Sequence, residues 1–116
     1  MASIDPAKRK AIRDELIANA KAGIFPYYGQ FGHPLGIPAR WRLWKDYLDD
    51  ISRGEIAANL PDVTWIVRST RVSGLPGQMD MQKVIKPTPY HWKRASEKAQ
   101  EIIEYYCPGA SNPFIR

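Results

Sequence analysis

The sequence has a single cysteine, Cys107, among its 116 residues. One cysteine excludes an intramolecular disulfide and any metal site built from several thiolates, and it favours a reducing compartment. The chain also lacks an apolar run of about eighteen residues and an apolar N-terminal segment, so we expect neither a membrane span nor a signal peptide. These absences predict a cytoplasmic protein without a membrane partner.

Residues that carry catalysis or hold cofactors are also scarce. The only two histidines are His33 and His91, and no spacing rule joins them as the acid and base of a ribonuclease. The glycines of "GQFGHPLG" follow no clear strand and precede no Walker lysine, so they do not indicate a phosphate-binding loop. The carboxylates of Asp46, Asp49 and Asp50 have no histidine or further acid at ligand spacing. We therefore predict no catalytic residues, no metal and no cofactor, and these absences disfavour an enzyme without excluding one.

Basic residues outnumber acidic ones. Seventeen Lys and Arg against twelve Asp and Glu leave a formal charge of +5, which favours an acidic partner such as nucleic acid. Residues 1–21 contain five basic and three acidic residues, and residues 81–100 contain five basic residues and one glutamate. The alternative is that these cations only keep a solvated face soluble.

Capping residues and apolar spacing predict three main helices in a single domain of residues 1–116. The first runs from about Pro6 to Ala22, with Asp5 as its cap. The middle helix begins at Pro38, because the apolar residues from Trp41 to Ile51 recur at helical spacing. The last helix begins at Thr88-Pro89 and ends near residue 108, so that residues 108–116 form a C-terminal tail without periodicity.

The segments between these helices predict strands and turns. "DVTWIVRST", residues 62–70, is dense in β-branched and aromatic residues and is typical of a strand. "RVSGLPGQM" has the composition of a turn or fixed loop, and "QKVIK", residues 82–86, is a candidate second strand. Residues 27–31 form a short turn of helix, which Gly32 and Pro34 stop, so that residues 32–36 make a turn before the middle helix.

Together these elements predict a small α+β domain that contains a helix-turn-helix element. The middle helix from Pro38 takes the place of a recognition helix, and residues 68–86 take the place of a wing. We therefore expect a fold similar to a winged helix.

The stretch "AGIFPYYGQFGHPLGIPARWRLWKDYL" resembles the winged-helix domain of alkyltransferase-like DNA-repair proteins. That family has a Tyr-Gly-Glu-Ile-Ala pattern, a turn with glycine, and a helix with Ala-Arg-Ala-Val-Gly; "YGQF" from Tyr28 and "AR" at Arg40 match its two helical parts. The resemblance implies a winged-helix fold and DNA contacts at these two positions. The Pro-Cys-His-Arg motif of true alkyltransferases is absent, so alkyl transfer is not implied. "LPDVTWIVRSTRVSGLPGQM" is similar to a stretch of uncharacterised small bacterial proteins.

Aromatic and basic residues alternate in "PARWRLWK". Arginine presents a planar fork that suits phosphate oxygens, and Arg40, Arg42 and Lys45 are placed to reach them from the start of the middle helix. The alternative is that these cations pair with the aspartates of their own helix.

The pattern predicts a non-catalytic nucleic-acid-binding module, with DNA as the expected partner. The residues predicted to make contact are Tyr28, Arg40, Arg42, Arg68 and Arg71.

Two alternatives remain at this point. The first is a protein-protein interaction module of phage or mobile-element origin, which makes contact through exposed aromatic residues and the "GLPG" loop at residues 74–77. The second is a small ribonuclease that uses His33 and His91.

Overall fold

The computed structural model describes residues 3–81, 83–84 and 86–115, in which helices predominate. About 61% of these residues are helical, and they form no sheet. The α-helices of the described residues are α1 (Pro6–Lys21), α2 (Tyr28–Gly32), α3 (Trp44–Ala57), α4 (Gly77–Met81) and α5 (Pro89–Tyr106). Short 3₁₀ turns lie at His33–Leu35, Val63–Ile66 and Thr70–Val72.

The predicted α+β, winged-helix-like fold is wrong. In place of a strand at residues 62–70, the chain forms the 3₁₀ turn Val63–Ile66 and then a short extended stretch that makes only isolated bridges. The Asp62 side chain causes this turn, because its Oδ1 accepts hydrogen bonds from the Thr64 N–H at 3.2 Å and from the Thr64 hydroxyl at 2.6 Å. Such local capping competes with a strand ladder.

The predicted wing is absent from the described residues. Lys83 has a φ of 61°, a left-handed conformation that a regular strand does not contain. Gln82 and Ile85, which belong to the predicted second strand, lie outside the described residues. The stretch predicted as a turn includes the short helix α4, which the sequence pattern did not predict.

The predicted helix-turn-helix element is also wrong. The middle helix begins at Trp44, six residues after Pro38. Two successive turns replace its predicted first part, closed by the Trp41 N–H to the Pro38 carbonyl at 3.1 Å and the Trp44 N–H to the Trp41 carbonyl at 3.3 Å. Residues 33–43 separate α2 from α3, whereas a helix-turn-helix has a turn of about 3–4 residues.

The first and last helices confirm the predictions from caps and spacing. The α1 helix has Asp5 as its N-cap and Pro6 in its first turn. The α5 helix begins at Pro89 after Thr88, as predicted, and ends at Tyr106.

The core lies where α1, α3 and α5 meet the turn Val63–Ile66. That turn is buried throughout, because helices cover it on several sides rather than on the single face that a surface strand offers. The other fully buried side chains of the core include Ile12, Leu16, Leu48, Ile51 and Ile102.

Ion pairs join α1 to α3 at the edge of this core. Arg9 Nε lies 2.6 Å from Asp50 Oδ2, and this hydrogen bond lowers the pKa of the Asp50 carboxyl below its usual value. The Arg13 guanidinium donates to both oxygens of Glu55, at 2.9 and 3.0 Å. Glu55 is only 3% exposed, and its hydrogen bonds raise the pKa of Arg13.

Candidate functional site

A cleft of about 530 Å³ brings together three segments that are distant in sequence. It is lined by residues 27–29, 39–42, 44–45 and 68–71, and we call it the cationic cleft. All five residues predicted to contact nucleic acid line it: Tyr28, Arg40, Arg42, Arg68 and Arg71. The fold that was predicted to present them is wrong, but the structure does bring them together.

The first wall consists of the start of α2 and the chain at Arg68. The Arg68 N–H donates to the Pro26 carbonyl at 2.8 Å, and the Tyr28 N–H donates to the Arg68 carbonyl at 3.3 Å. The ring of Tyr28 lies 5.5 Å from that of Trp44, between centroids. A Cβ on Gly77 would overlap the Tyr28 ring, so the start of α4 supports this ring closely only because residue 77 is glycine.

The second wall is the loop before α3. The Trp44 indole N–H donates to the Pro38 carbonyl at 3.1 Å, and the Trp41 ring packs edge-on against that of Trp44, with centroids 5.2 Å apart. The two indoles thus pack together, whereas Arg40 and Arg42, on either side of Trp41 in the sequence, are exposed.

A close backbone approach ties this loop to α2. The Ile37 N–H donates to the Gly32 carbonyl at 2.9 Å. A Cβ on Gly32 would overlap the Ile37 carbonyl oxygen and lie 3.2 Å from Cζ2 of Trp44. Glycine at position 32 therefore sets the distance between the first two walls of the cleft.

The third segment is the 3₁₀ turn that follows Arg68. The Ser69 hydroxyl oxygen accepts from the Arg71 N–H at 3.2 Å and caps this turn, which leaves the Arg71 side chain exposed. Arg68 is anchored more firmly: its Nε donates to the Gly74 carbonyl at 2.7 Å, and its guanidinium lies 4.8 Å from the centroid of the Tyr27 ring. Arg68 thus joins the first and third segments as well as lining the cleft.

Arg40 and Arg42 do not pair with the aspartates of α3. Asp49 accepts from Lys45 at 2.5 Å, and Asp50 pairs with Arg9 and more distantly with Arg53. No ion pair with a described residue involves Arg40, Arg42 or Arg71.

The lining of the cleft includes five cations and, within the described chain, no carboxylate. The cations are Arg40, Arg42, Lys45, Arg68 and Arg71. A cleft lined by charges of one sign strengthens the electrostatic potential inside it. Because the charges here are positive, the cleft attracts anions.

Other candidates from the sequence lie elsewhere. His91 Nδ1 accepts from the Thr88 N–H at 2.9 Å and so takes part in capping α5, while His33 is exposed on the turn after α2. Neither histidine lines the cleft, and no described hydrogen bond or ring contact joins the two. The loop at residues 74–77 is buried, so it offers no contact surface to a protein partner.

The second group of basic residues does not contribute to the cleft. Within the described part of residues 81–100, no side chain lines it. Arg94 and Lys98 instead lie over the ring of the buried Trp65, 5.4 and 5.9 Å from its centroid. The basic residues described between positions 81 and 100 therefore lie outside the cationic cleft.

The lining residues that were missed from the sequence include two aromatic residues. Tyr27 lines the cleft beside Tyr28, and Trp41, which its helical spacing assigned to the core, is only half-buried and lies between Arg40 and Arg42. Each of the two is adjacent in sequence to a residue that was predicted to make contact, and this adjacency is the signal that could have identified them.

No protein-family model, curated protein or solved structure matches the chain. The resemblance to alkyltransferase-like proteins therefore stays a prediction, and the winged-helix fold that it implies is wrong. In the described part of the chain, no helix combines the length and apolar character needed to cross a bilayer. The same residues hold no group of three His, Cys, Asp or Glu side chains placed to share a metal ion.

Proposed function

We propose that this protein is a non-catalytic nucleic-acid-binding module, with DNA as its partner, and that it binds through the cationic cleft. The observation that carries the proposal is the convergence of five cations and four aromatic rings on one cleft, whose described lining contains no carboxylate. A cytoplasmic location suits this role, since a single free cysteine, Cys107, is stable in a reducing environment.

The free guanidinium groups favour phosphate as the ligand. Arg40, Arg42 and Arg71 are exposed and unpaired within the described residues, so they bind an anion without first giving up an ion pair. Guanidinium groups bind phosphate oxygens in two parallel hydrogen bonds.

The aromatic lining favours a polymer of nucleotides over a simple inorganic anion. The rings of Tyr27, Tyr28, Trp41 and Trp44 line the same cleft as the cations. Nucleic-acid-binding grooves combine the same two features, because cations follow the backbone while aromatic rings contact the bases.

A salt-dependent binding measurement tests the proposal. The probe is a labelled DNA duplex with a single-stranded overhang at one end. Its binding is measured by fluorescence anisotropy at 50 and 200 mM NaCl. If about three to five phosphates are contacted, the affinity falls by roughly 20- to 500-fold over this range. Absence of binding at the lower salt concentration, or binding that is insensitive to salt, would contradict the proposal.

A matched pair of triple variants locates the binding surface. Replacing Arg40, Arg42 and Arg71 by alanine removes three charges from the cleft, and we expect most of the affinity and of the salt dependence to disappear. The control replaces three exposed cations outside the cleft by alanine, which changes the net charge equally: Lys10, Lys21 and Arg53. Equal losses in both variants would mean that the cleft is not the site.

A further inference from the structure

We propose that the cationic cleft takes single-stranded rather than double-stranded nucleic acid, with an unpaired base stacked on its aromatic rings. This inference depends on the proposed function, because it names the form of nucleic acid that the cleft accepts. It comes from the shape of the cleft, from the support of its rings and from the order of residues along the loop before α3.

The shape of the cleft does not suit a duplex. Proteins that read duplex DNA insert a helix or a β-ribbon into a groove about 12 Å wide. Here the lining residues form a recess of about 530 Å³, within the size range of small-molecule pockets. Of the helices beside it, α2 has only five residues, and α3 lines it only with its first two residues, Trp44 and Lys45. A flexible strand is able to place a base in such a recess, whereas a paired base stays inside the double helix.

Three of the rings are supported by the protein and also line the cleft. The Tyr27 ring centroid lies 4.8 Å from the Arg68 guanidinium, and the Tyr28 ring lies beside that of Trp44. The Trp41 ring packs on Trp44 and on Tyr47, and the centroids of the Trp41 and Tyr47 rings are 5.1 Å apart. Tyr27, Tyr28 and Trp41 are each half-buried, so part of each side chain stays accessible. A ring that is already fixed loses little conformational freedom when a base stacks on it.

The order of side chains in the loop suits a nucleotide chain. Arg40, Trp41 and Arg42 are consecutive and all line the cleft. A strand that crosses this loop meets a cation, a ring and a cation in turn, which corresponds to phosphate, base and phosphate. Tyr27 and Arg71 provide a second ring and a second cation from the other segments of the cleft.

Charge alone predicts the opposite preference. A duplex has a higher density of phosphates than a single strand, so a purely electrostatic surface binds the duplex at least as strongly. A preference for the single strand therefore reports contacts with unpaired bases, and this makes the comparison of the two forms informative.

The test uses the full chain and three probes of equal length at 50 mM NaCl. They are an oligothymidylate of twelve nucleotides, a chain of twelve abasic deoxyribose phosphates, and a blunt duplex of twelve base pairs. We expect the oligothymidylate to bind at least about tenfold more tightly than the other two.

Variants at Trp41 test the stacking itself. Trp41→Leu keeps an apolar side chain beside Trp44 but removes the flat ring, and we expect its affinity for oligothymidylate to fall by about 5- to 100-fold, a larger fall than for the abasic chain. Trp41→Phe keeps a ring, so it should regain most of the affinity. Because the three-probe comparison needs only the unaltered protein, it decides the question even if the leucine variant fails to fold.

The possible results separate this inference from the proposed function. A duplex that binds as tightly as the oligothymidylate overturns the inference and leaves nucleic-acid binding intact. Equal affinity for the abasic chain and for oligothymidylate also overturns it, because the bases then contribute nothing. Absence of binding to all three probes contradicts both the inference and the proposed function.

Discussion

The arginines of α1 and those of the cationic cleft have the same side chain in opposite surroundings. Arg9 and Arg13 both reach across to α3 and meet a carboxylate, at 2.6 Å for Asp50 and at 2.9 Å for Glu55. Arg40 and Arg42 are close to the aspartates of α3 in sequence, yet neither forms an ion pair with a described residue. Sequence distance therefore does not decide which arginine is paired.

The difference lies in which face of α3 each carboxylate occupies. Asp50 and Glu55 face α1, where Arg9 and Arg13 cover them. Asp49 pairs instead with the Lys45 ammonium of its own helix, one turn away. The arginines of α1 thus stabilise the fold, whereas those of the cleft remain available to a ligand, and mutation should separate the two roles.

Arg13→Ala should have the largest effect, and it should act on stability alone. The variant leaves the carboxylate of Glu55, whose side chain is 4% exposed, without its partner. Breaking a buried pair costs about 3–5 kcal/mol, and we expect about 2–3 kcal/mol here because Arg13 is itself partly exposed. Urea unfolding measures this loss, with Lys10→Ala, which breaks an exposed pair, as a control that should stay within about 0.5 kcal/mol. If both variants lose a similar amount of stability, the buried position of the Arg13–Glu55 pair gives it no special role in the fold.

Gly32→Ala should come next, because it affects both the stability and the shape of the cleft. The added Cβ overlaps the Ile37 carbonyl and crowds Trp44, and overpacking of this kind costs about 1–3 kcal/mol. The matched control is Gly29→Ala in the same helix, where a Cβ meets nothing within 4 Å. We expect the control to change the free energy of unfolding by less than about 0.5 kcal/mol, as measured in urea. If the two variants are equally stable, the close approach of α2 and the loop is not required.

Arg42→Ala should have the opposite pattern to Arg13→Ala: it should weaken nucleic-acid binding and leave stability almost unchanged. Because Arg42 is exposed and unpaired among the described residues, its loss should change the free energy of unfolding by less than about 0.5 kcal/mol. The slope of log affinity against log salt concentration should fall by about 0.7–0.9, and affinity at low salt by about fivefold to tenfold. Titrations at several salt concentrations measure both quantities. A variant that binds normally but unfolds more easily would place Arg42 with the structural arginines.

The smallest expected effect is a pH dependence at Asp50. Its pKa is lowered in the folded protein by the hydrogen bond from Arg9, so its contribution to stability is present above the ordinary carboxyl pKa of 3.8 and is lost as the pH falls below that value, through the lowered pKa of the folded protein. Since the pair is partly exposed, we expect less than about 1 kcal/mol. The difference in urea midpoint between the unaltered protein and Asp50→Asn should shrink over this range. A difference that stays constant would mean that the carboxylate charge contributes nothing.

The helices could be predicted wherever the signal is local. The Asp5 cap with Pro6, and Thr88 with Pro89, mark the starts of α1 and α5, because capping depends only on residues within one turn. The start of α3 could not be predicted in the same way. The apolar spacing continues back to Trp41, but that side chain packs on Trp44 from a turn, and periodicity does not distinguish the two.

The error at residues 62–70 has a different cause. Val, Thr, Trp and Ile there favour a strand in isolation. In the protein the turn Val63–Ile66 is buried among three helices. The described residues offer it no neighbouring strand with which to form a ladder, and Asp62 satisfies the Thr64 N–H locally. The burial of these residues is consistent with the sequence pattern, but their backbone conformation depends on what surrounds them.

By itself, the sequence determined the positive charge, the helices with capping residues, and the types of residue able to meet a nucleic acid, because these properties belong to single residues or to neighbours within one turn. Only the tertiary structure decided that Tyr28, Arg40 and Arg71 share one cleft and that Asp50 and Glu55 of α3 pair with the arginines of α1. Convergence of this kind depends on long-range contacts, such as the backbone hydrogen bonds of Arg68 with Pro26 and Tyr28 and the close approach at Gly32. No local pattern encodes the distance between segments that the folded core alone brings together.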